Sequence, residues 1–320
     1  MHIPDGFLDA KTAVATGALA VAGLGFALRQ ARRHLPARRV PLLGLSAAFV
    51  FAAQMLNFPV AGGTSGHLIG AVLTAVLLGP SAAVIVISAV LIVQCLMFAD
   101  GGISALGANI FNMALVGGVG GWGVYYLVSR AFKGLFGRVL AAAFASWCST
   151  VLASVACAGE LAASGTARWS VVLPTMAGVH MLIGLGEGLI TALVLTGLVR
   201  TRPELMVEPA PAAGARPYGM VAVYGVLVAL GLALFVSPFA SQSPDGLDKT
   251  AEDLGFDGKA RVTVPAPMPE YTIQRFSGAR VGTSIAGAVG TIAVFGLCWG
   301  LARVLVPKGR SGDVAAPASR

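Results

Sequence analysis

Charge is what this chain of 320 residues has least of: Asp, Glu, Lys and Arg together make up 11% of it. A soluble domain carries about 25%. Here 56% of the residues are hydrophobic and the mean hydropathy is +0.82, which assigns the chain to the integral membrane class. Cysteine is scarce too. Cys95, Cys148, Cys157 and Cys298 sit in apolar stretches without C-x-x-C spacing, so they read as small hydrophobes, and no disulfide framework is expected. No G-x-x-x-x-G-K-S/T run is present, so the chain has no phosphate loop with which to bind and spend ATP. H-E-x-x-H is missing, which argues against an intramembrane metalloprotease. Proton-coupled secondary transport commonly uses several buried carboxylates, and Glu187 is the only clear one in mid-span. Energy for active uptake would have to come from another polypeptide, and the chain is read as neither an enzyme nor the holder of a cofactor. The net charge of +8 invites a nucleic-acid reading, but the basic residues lie in short runs between apolar stretches. That pattern reports topology, with lipid as the surrounding partner and no nucleic acid.

What is there is a series of apolar runs. Residues 12–29 form the first candidate span, followed by Arg29, Arg32, Arg33, Arg38 and Arg39, a basic loop expected to face the cytoplasm. The N-terminus is then outside. Residues 41–57 return, which puts the loop 58–66, expected to be flexible, and His67 on the same outer face as Met1 and His2. Two further spans are expected at 67–79 and 81–98, broken at Gly79-Pro80. Residues 100–113 are too polar and Gly-rich for a lipid-facing helix and read as an outer loop or a re-entrant segment. Spans at about 110–129, 139–164 and 170–198 complete the first unit. Its remaining basic clusters are Arg130, Lys133 and Arg138, then Arg200 and Arg202. The expected fold is all-α: about seven membrane helices in residues 1–200, a Pro/Ala-rich cytoplasmic linker at 201–217, and a second unit at 218–320. That second unit has spans at 218–236 and 279–306, the latter running inward to Lys308 and Arg310. They flank a polar outer segment, 237–278, which is either a small ordered lid or a plain hairpin loop. The whole is expected in the cell membrane as a multi-pass protein.

The opening stretch MHIPDGFL has no basic n-region, apolar h-region or cleavage site, so it is not a signal peptide. The large side chain of His2 predicts that the initiator Met is kept. The Met1 α-amine, the His2 backbone nitrogen and the His2 imidazole then form one short chelate with a planar position left for a fourth nitrogen. Four nitrogens in a plane suit Ni(II) or Cu(II) better than Zn(II), which prefers a tetrahedron. On the dipeptide alone, a histidine in a mobile tail is the simpler reading. His67, after the glycine-rich Gly62-Gly63-Thr64-Ser65-Gly66, is predicted to start a helix on the same face. Taken singly it reads as an interfacial histidine; its shared face with Met1-His2 reverses that preference and makes it the candidate fourth ligand. His180 and Glu187, seven residues apart inside an apolar span, project from nearly the same side of a helix. They are either a structural polar pair or supporting or gating residues. Asn109 and Asn112 either orient a ligand histidine or satisfy freed backbone groups. His34, in the basic loop, is given no role.

Four separated blocks then carry a resemblance: MHIPDGFLD, GGTSGH ending at His67, LGANIFNM around Asn109, and HMLIGLGEGLIT from His180. In this order they resemble the substrate-capture component of nickel/cobalt energy-coupling-factor transporters, over about residues 1–200. The second unit, with Ser243-Pro244-Asp245-Gly246-Leu247, resembles the small accessory component of those systems, here fused. Asp248 stands where the motif usually has Glu. The resemblance implies a seven-helix capture bundle binding Ni2+ or Co2+ as transported substrate through Met1, His2 and His67. It also implies partnership with a transmembrane coupling subunit and a cytoplasmic ATPase pair. Two alternatives stay open: a secondary divalent-cation permease, and a structural membrane protein without ligand.

Overall fold

A computed structural model of the protein describes residues 1–132, 134–202, 205, 218–273 and 279–306. Lys133, Lys308, Arg310 and nearly all of the linker lie outside the described residues. The fold is helical, with one two-stranded hairpin. In the first unit the elements are α1 (Ala10–His34), α2 (Val40–Gln54), the hairpin β1 (Phe58–Val60) and β2 (Thr64–Gly66), α3 (Ala71–Leu78) and α4 (Pro80–Phe98). They continue with α5 (Leu106–Ile110), a π-helical stretch Phe111–Gly120, α6 (Gly121–Ala131), α7 (Gly134–Ala163) and α8 (Trp169–Thr201). The second unit adds α9 (Gly219–Gly231), α10 (Gly246–Leu254) and α11 (Ala279–Leu305).

Among the described residues, seven helices are long and apolar enough to cross a membrane: α1, α4, the run Leu106–Ala131, α7, α8, Gly219–Phe239 and Arg280–Leu305. The first unit has the seven helical segments expected of it, but two are short. α2 has 15 residues and α3 has 8, so they rise about 22 and 12 Å, less than the roughly 30 Å of a hydrocarbon core. Both are packed inside the bundle, where length need not match the bilayer. α4 is buried along nearly all its length and is touched by α1, α2, α3 and α11, which makes it the centre of the molecule. The second unit docks on the α2 side, through α9 on α2 and α11 on α2 and α4.

Three local expectations change. His67 does not begin a helix: residues 67–70 are non-helical and α3 starts at Ala71, after Gly70 at φ +73. Residues 58–66 are an antiparallel hairpin and not a slack loop. The stretch 100–113 is a loop only to Ala105; from Leu106 it is helical and continuous with the next span. The polar residues that made it look unlike a helix, Asn109 and Asn112, face inward to hydrogen-bond partners, so lipid never meets them.

Buried non-helical backbone needs partners in place of water. Glu187 of α8 supplies them for the 67–70 segment, its Oε2 accepting from Ile69 N at 2.6 Å and its Oε1 from Gly70 N at 2.9 Å. Gln54 Nε2 donates to Ile69 O at 3.0 Å and is itself held by Gln94 Nε2 on its Oε1, at 2.8 Å. Three membrane helices therefore fix the short run that follows His67.

Candidate metal-binding site

The chain's first residues are pinned at both edges. Ile3 N donates to Asn109 Oδ1 at 2.8 Å and Asn109 Nδ2 donates to Ile3 O at 3.1 Å, a two-way clamp on the backbone of one residue. Ile3 O also accepts from Gly102 N at 2.9 Å. Asp5 Oδ1 accepts from Ser104 N and Oγ at 2.8 and 2.6 Å, and Asp5 O accepts from Arg261 N of the second unit at 2.9 Å. A Cβ on Gly102 would lie 2.2 Å from Asp5 N, so glycine is what lets the two backbones approach.

This anchoring delivers the Met1 amine, on a residue only 5% exposed, to 3.2 Å from His67 Nε2. His67 Nδ1 lies 3.2 Å from Leu68 O; a proton there leaves the Nε2 lone pair directed at the amine. The His2 and His67 rings are stacked, 5.2 Å between centroids and 9° from parallel. His2 Nδ1 is 2.5 Å from Asp100 Oδ1, while His2 Nε2 is buried with no partner. Asp100 Oδ2 accepts from Tyr271 OH at 2.5 Å. The Met1 ammonium is ion-paired with Asp245 Oδ2 of the PDGL stretch. The other oxygen of Asp245 caps α10, accepting from Leu247 N at 2.7 Å and Asp248 N at 3.0 Å.

Burial alone would push the Met1 ammonium down, but the Asp245 carboxylate, helped by Asp100 and Asp248, holds it above its ordinary value. His67 is pushed down to about 3 by burial, then by the Met1 ammonium and His2, so its imidazole is neutral and able to donate a lone pair. Burial opposes the ionised form of Asp100, yet His2 and the Tyr271 hydroxyl bring it down to about 2. Asp245 likewise overcomes burial through the Met1 ammonium and is held well below the carboxylate range. Its charge, and then burial, push Asp248 up to about 6.

Among the described residues no group of three or more His, Cys, Asp or Glu side chains is gathered to hold a metal ion. The other nitrogens beside the His2 and His67 imidazoles are main-chain ones, the Met1 amine and the His2 amide. Two nitrogens each about 2.0 Å from one ion and at right angles stand about 2.8 Å apart. The observed amine–imidazole distance of 3.2 Å is close to that. Chelation through the His2 amide and its own ring requires Nδ1. Nδ1 faces Asp100 here, so the ring would have to turn about Cβ–Cγ to free it, which would carry Nε2 to the ring edge that faces Asp100; carboxylates commonly hold metal-bound histidines in this way.

Residues 2–205 match the family model described as the cobalt uptake substrate-specific transmembrane region, CbiM, and residues 219–307 match the PDGLE domain. The chain belongs to the CbiM family. The putative fused nickel transport protein NikMN of Archaeoglobus fulgidus is 37% identical over 305 residues, covering 95% of this chain and 98% of that one. The fused nickel transport protein NikMN of Rhodobacter capsulatus is 34% identical, covering 94% and 98%. A crystal structure of a truncated transition metal transporter superposes with a TM-score of 0.57 at 37% identity, over 62% of this chain and 99% of that one. The all-α, multi-pass membrane architecture agrees with this CbiM membership.

The structure brings Met1, His2 and His67 together, as the sequence reading required. It reassigns the others. Asn109 holds the tail at Ile3 and does not orient a histidine; Asn112 Nδ2 donates to Glu160 Oε2 at 2.7 Å. His180 and Glu187 are not a pair: Glu187 holds Ile69 and Gly70, while His180 Nδ1 meets Met176 O at 2.8 Å. The far side of the His180 ring lies against Gly246, in a small pocket shared with Met1, His67 and Asp245. A second carboxyl, Glu160 near the end of α7, is buried as well. Asp100, Asp245 and Tyr271 escaped sequence reasoning as site residues. Asp245 alone had a signal, in the PDGL run; nothing local marks the other two.

Proposed function

We propose that the protein is the substrate-capture membrane component of an ATP-driven importer of Ni2+ and/or Co2+, with nickel favoured by planar nitrogen ligation. The ion is held by the Met1 amine, the His2 amide nitrogen and imidazole, and His67 Nε2. The observation that carries this reading is the buried Met1 amine 3.2 Å from His67 Nε2, with the His2 ring stacked on that of His67. The names of the fused relatives, nickel transport proteins, support the choice of cargo. Loading releases protons from the amine and the His2 amide, so affinity is coupled to pH. The amine also leaves Asp245, and His2 turns its ring. Asn109 and Glu187 hold the two ligand-bearing segments; His180 backs the pocket, and Asn112 ties α7 to the same helix as Asn109. The accessory unit closes the site from outside, with the N-terminus extracytoplasmic. Lacking a phosphate loop, the chain works with a transmembrane coupling subunit and a cytoplasmic ATPase pair.

One added residue ahead of Met1 tests the chelate. The buried amine leaves no room for it, so calorimetric titration with Ni2+ and Co2+ is expected to show binding lost while the helical fold persists. Unchanged affinity would falsify the chelate. The buried Glu160–Asn112 pair favours a second reading, a secondary permease. Uptake by the chain expressed alone, collapsing with the proton gradient, would support that reading; a requirement for the ATPase pair excludes it.

A further inference from the structure

Asp100 is used on both of its oxygens: Oδ1 faces His2 Nδ1 at 2.5 Å, and Oδ2 accepts from the Tyr271 hydroxyl at 2.5 Å. Tyr271 comes from the accessory unit, 171 positions further along the chain. Its ring is stacked on Phe98 of α4, 4.6 Å between centroids and 14° from parallel, and tilted against Phe51 of α2 at 6.1 Å. The ring is therefore held by aromatic contacts from two buried helices, and its hydroxyl is directed at the carboxylate.

The backbone around this contact is unusual. Among the described residues, the non-glycine residues with positive φ are Ala99 (φ 55), Glu270 (φ 52) and Tyr271 (φ 56). One immediately precedes Asp100; the other two are Tyr271 and its neighbour. The left-handed region is unfavourable for residues with a Cβ and persists where the surroundings over-determine it, commonly at functional sites. Here all such residues flank one hydrogen bond. Packing alone asks for a ring at position 271, not for a hydroxyl aimed at a carboxylate that already holds a histidine.

We infer that Tyr271 is a positioning residue for the metal site: by fixing the Asp100 carboxylate, its hydroxyl sets the orientation of the His2 imidazole. The inference rests on His2 being a ligand, as proposed above. Tyr271 does not touch the ion. It acts at one remove, as the outer partners of metal-bound imidazoles do, and it gives the accessory unit a chemical share in a site whose nitrogens all come from the capture unit.

Tyr271→Phe keeps the ring and its stacking and removes only the hydroxyl. In the full chain it is expected to weaken Ni2+ binding 10–100-fold, the usual range for such outer partners. The visible absorption band of the nickel-loaded protein is expected to shift, with the melting temperature of the metal-free chain unchanged. Asp100→Asn is expected to cause a comparable loss, and the double variant no more than the larger single one, because both changes break one relay. Wild-type affinity and spectrum in Tyr271→Phe, or losses that add in full, would overturn the inference. A wild-type chain that binds neither Ni2+ nor Co2+ would instead overturn the ligand assignment, and this inference with it.

Discussion

The capture unit and the accessory unit meet the site with opposite chemistry. From the first come nitrogens: the Met1 amine, His2 and His67. From the second come oxygens: Asp245 on the amine and the Tyr271 hydroxyl on Asp100. The nitrogens are donors a divalent cation needs; Asp245 stabilises the protonated amine, which such a cation must displace. Under the proposed ligand assignment, fusion places the site and a competitor for one of its ligands on the same chain. Affinity is then a difference between two arrangements of charge, and each half controls one of them.

The sharpest way to break the comparison is to remove a nitrogen. His67→Ala is expected to lower Ni2+ affinity by more than ~100-fold, beyond the range for outer partners of metal ligands, with little change in melting temperature. Calorimetry and thermal melting on the same sample check both parts; retained affinity would mean His67 is not a ligand. A smaller effect is expected one step out. Glu187→Gln replaces one oxygen that accepts a main-chain N–H with an amide NH2, leaving a donor facing a donor. A loss of about 1–3 kcal/mol in stability follows, together with roughly tenfold weaker binding because the segment after His67 loosens. If melting falls and affinity does not, Glu187 packs the bundle without serving the site.

These two cases also separate what the sequence made legible from what it did not. The nearness of Met1-His2 to His67 was readable because counting spans past arginine clusters brings both segments to one face of the bundle. Glu187 was visible as an ionisable residue in an apolar run, but its partners were not. They are main-chain amides 117 and 118 positions away in sequence, and amides leave no residue-type signal. Of the two readings of Asn109, the structure shows the one in which it satisfies backbone groups, those of Ile3, a partner no residue type announces. The span expected to begin at His67 was misplaced because hydropathy cannot tell a helix from an extended run whose polar groups are met by distant side chains. Asp100 and Tyr271 were out of reach: their role exists only once a strained turn in one unit is laid against a helix end in the other.

The mildest perturbation sharpens the comparison most. Asp245→Asn removes the carboxylate that overcomes burial and holds the Met1 ammonium above its ordinary value. Without it the amine pKa falls. Below the wild-type amine pKa, the ion has to displace a proton that Asp245 stabilises, and each unit of that stabilisation lowers apparent affinity tenfold. In that range the variant is therefore expected to bind Ni2+ more tightly than wild type. Above the wild-type amine pKa the proton is gone in both proteins. There the wild-type carboxylate, still close to the site, attracts the cation, and the variant binds more weakly. Affinity plotted against pH should consequently give two curves that cross, with the variant's midpoint at the lower pH. A uniform loss at every pH, with no crossing, would mean that Asp245 only caps α10 and that the accessory unit has no hold on the proton.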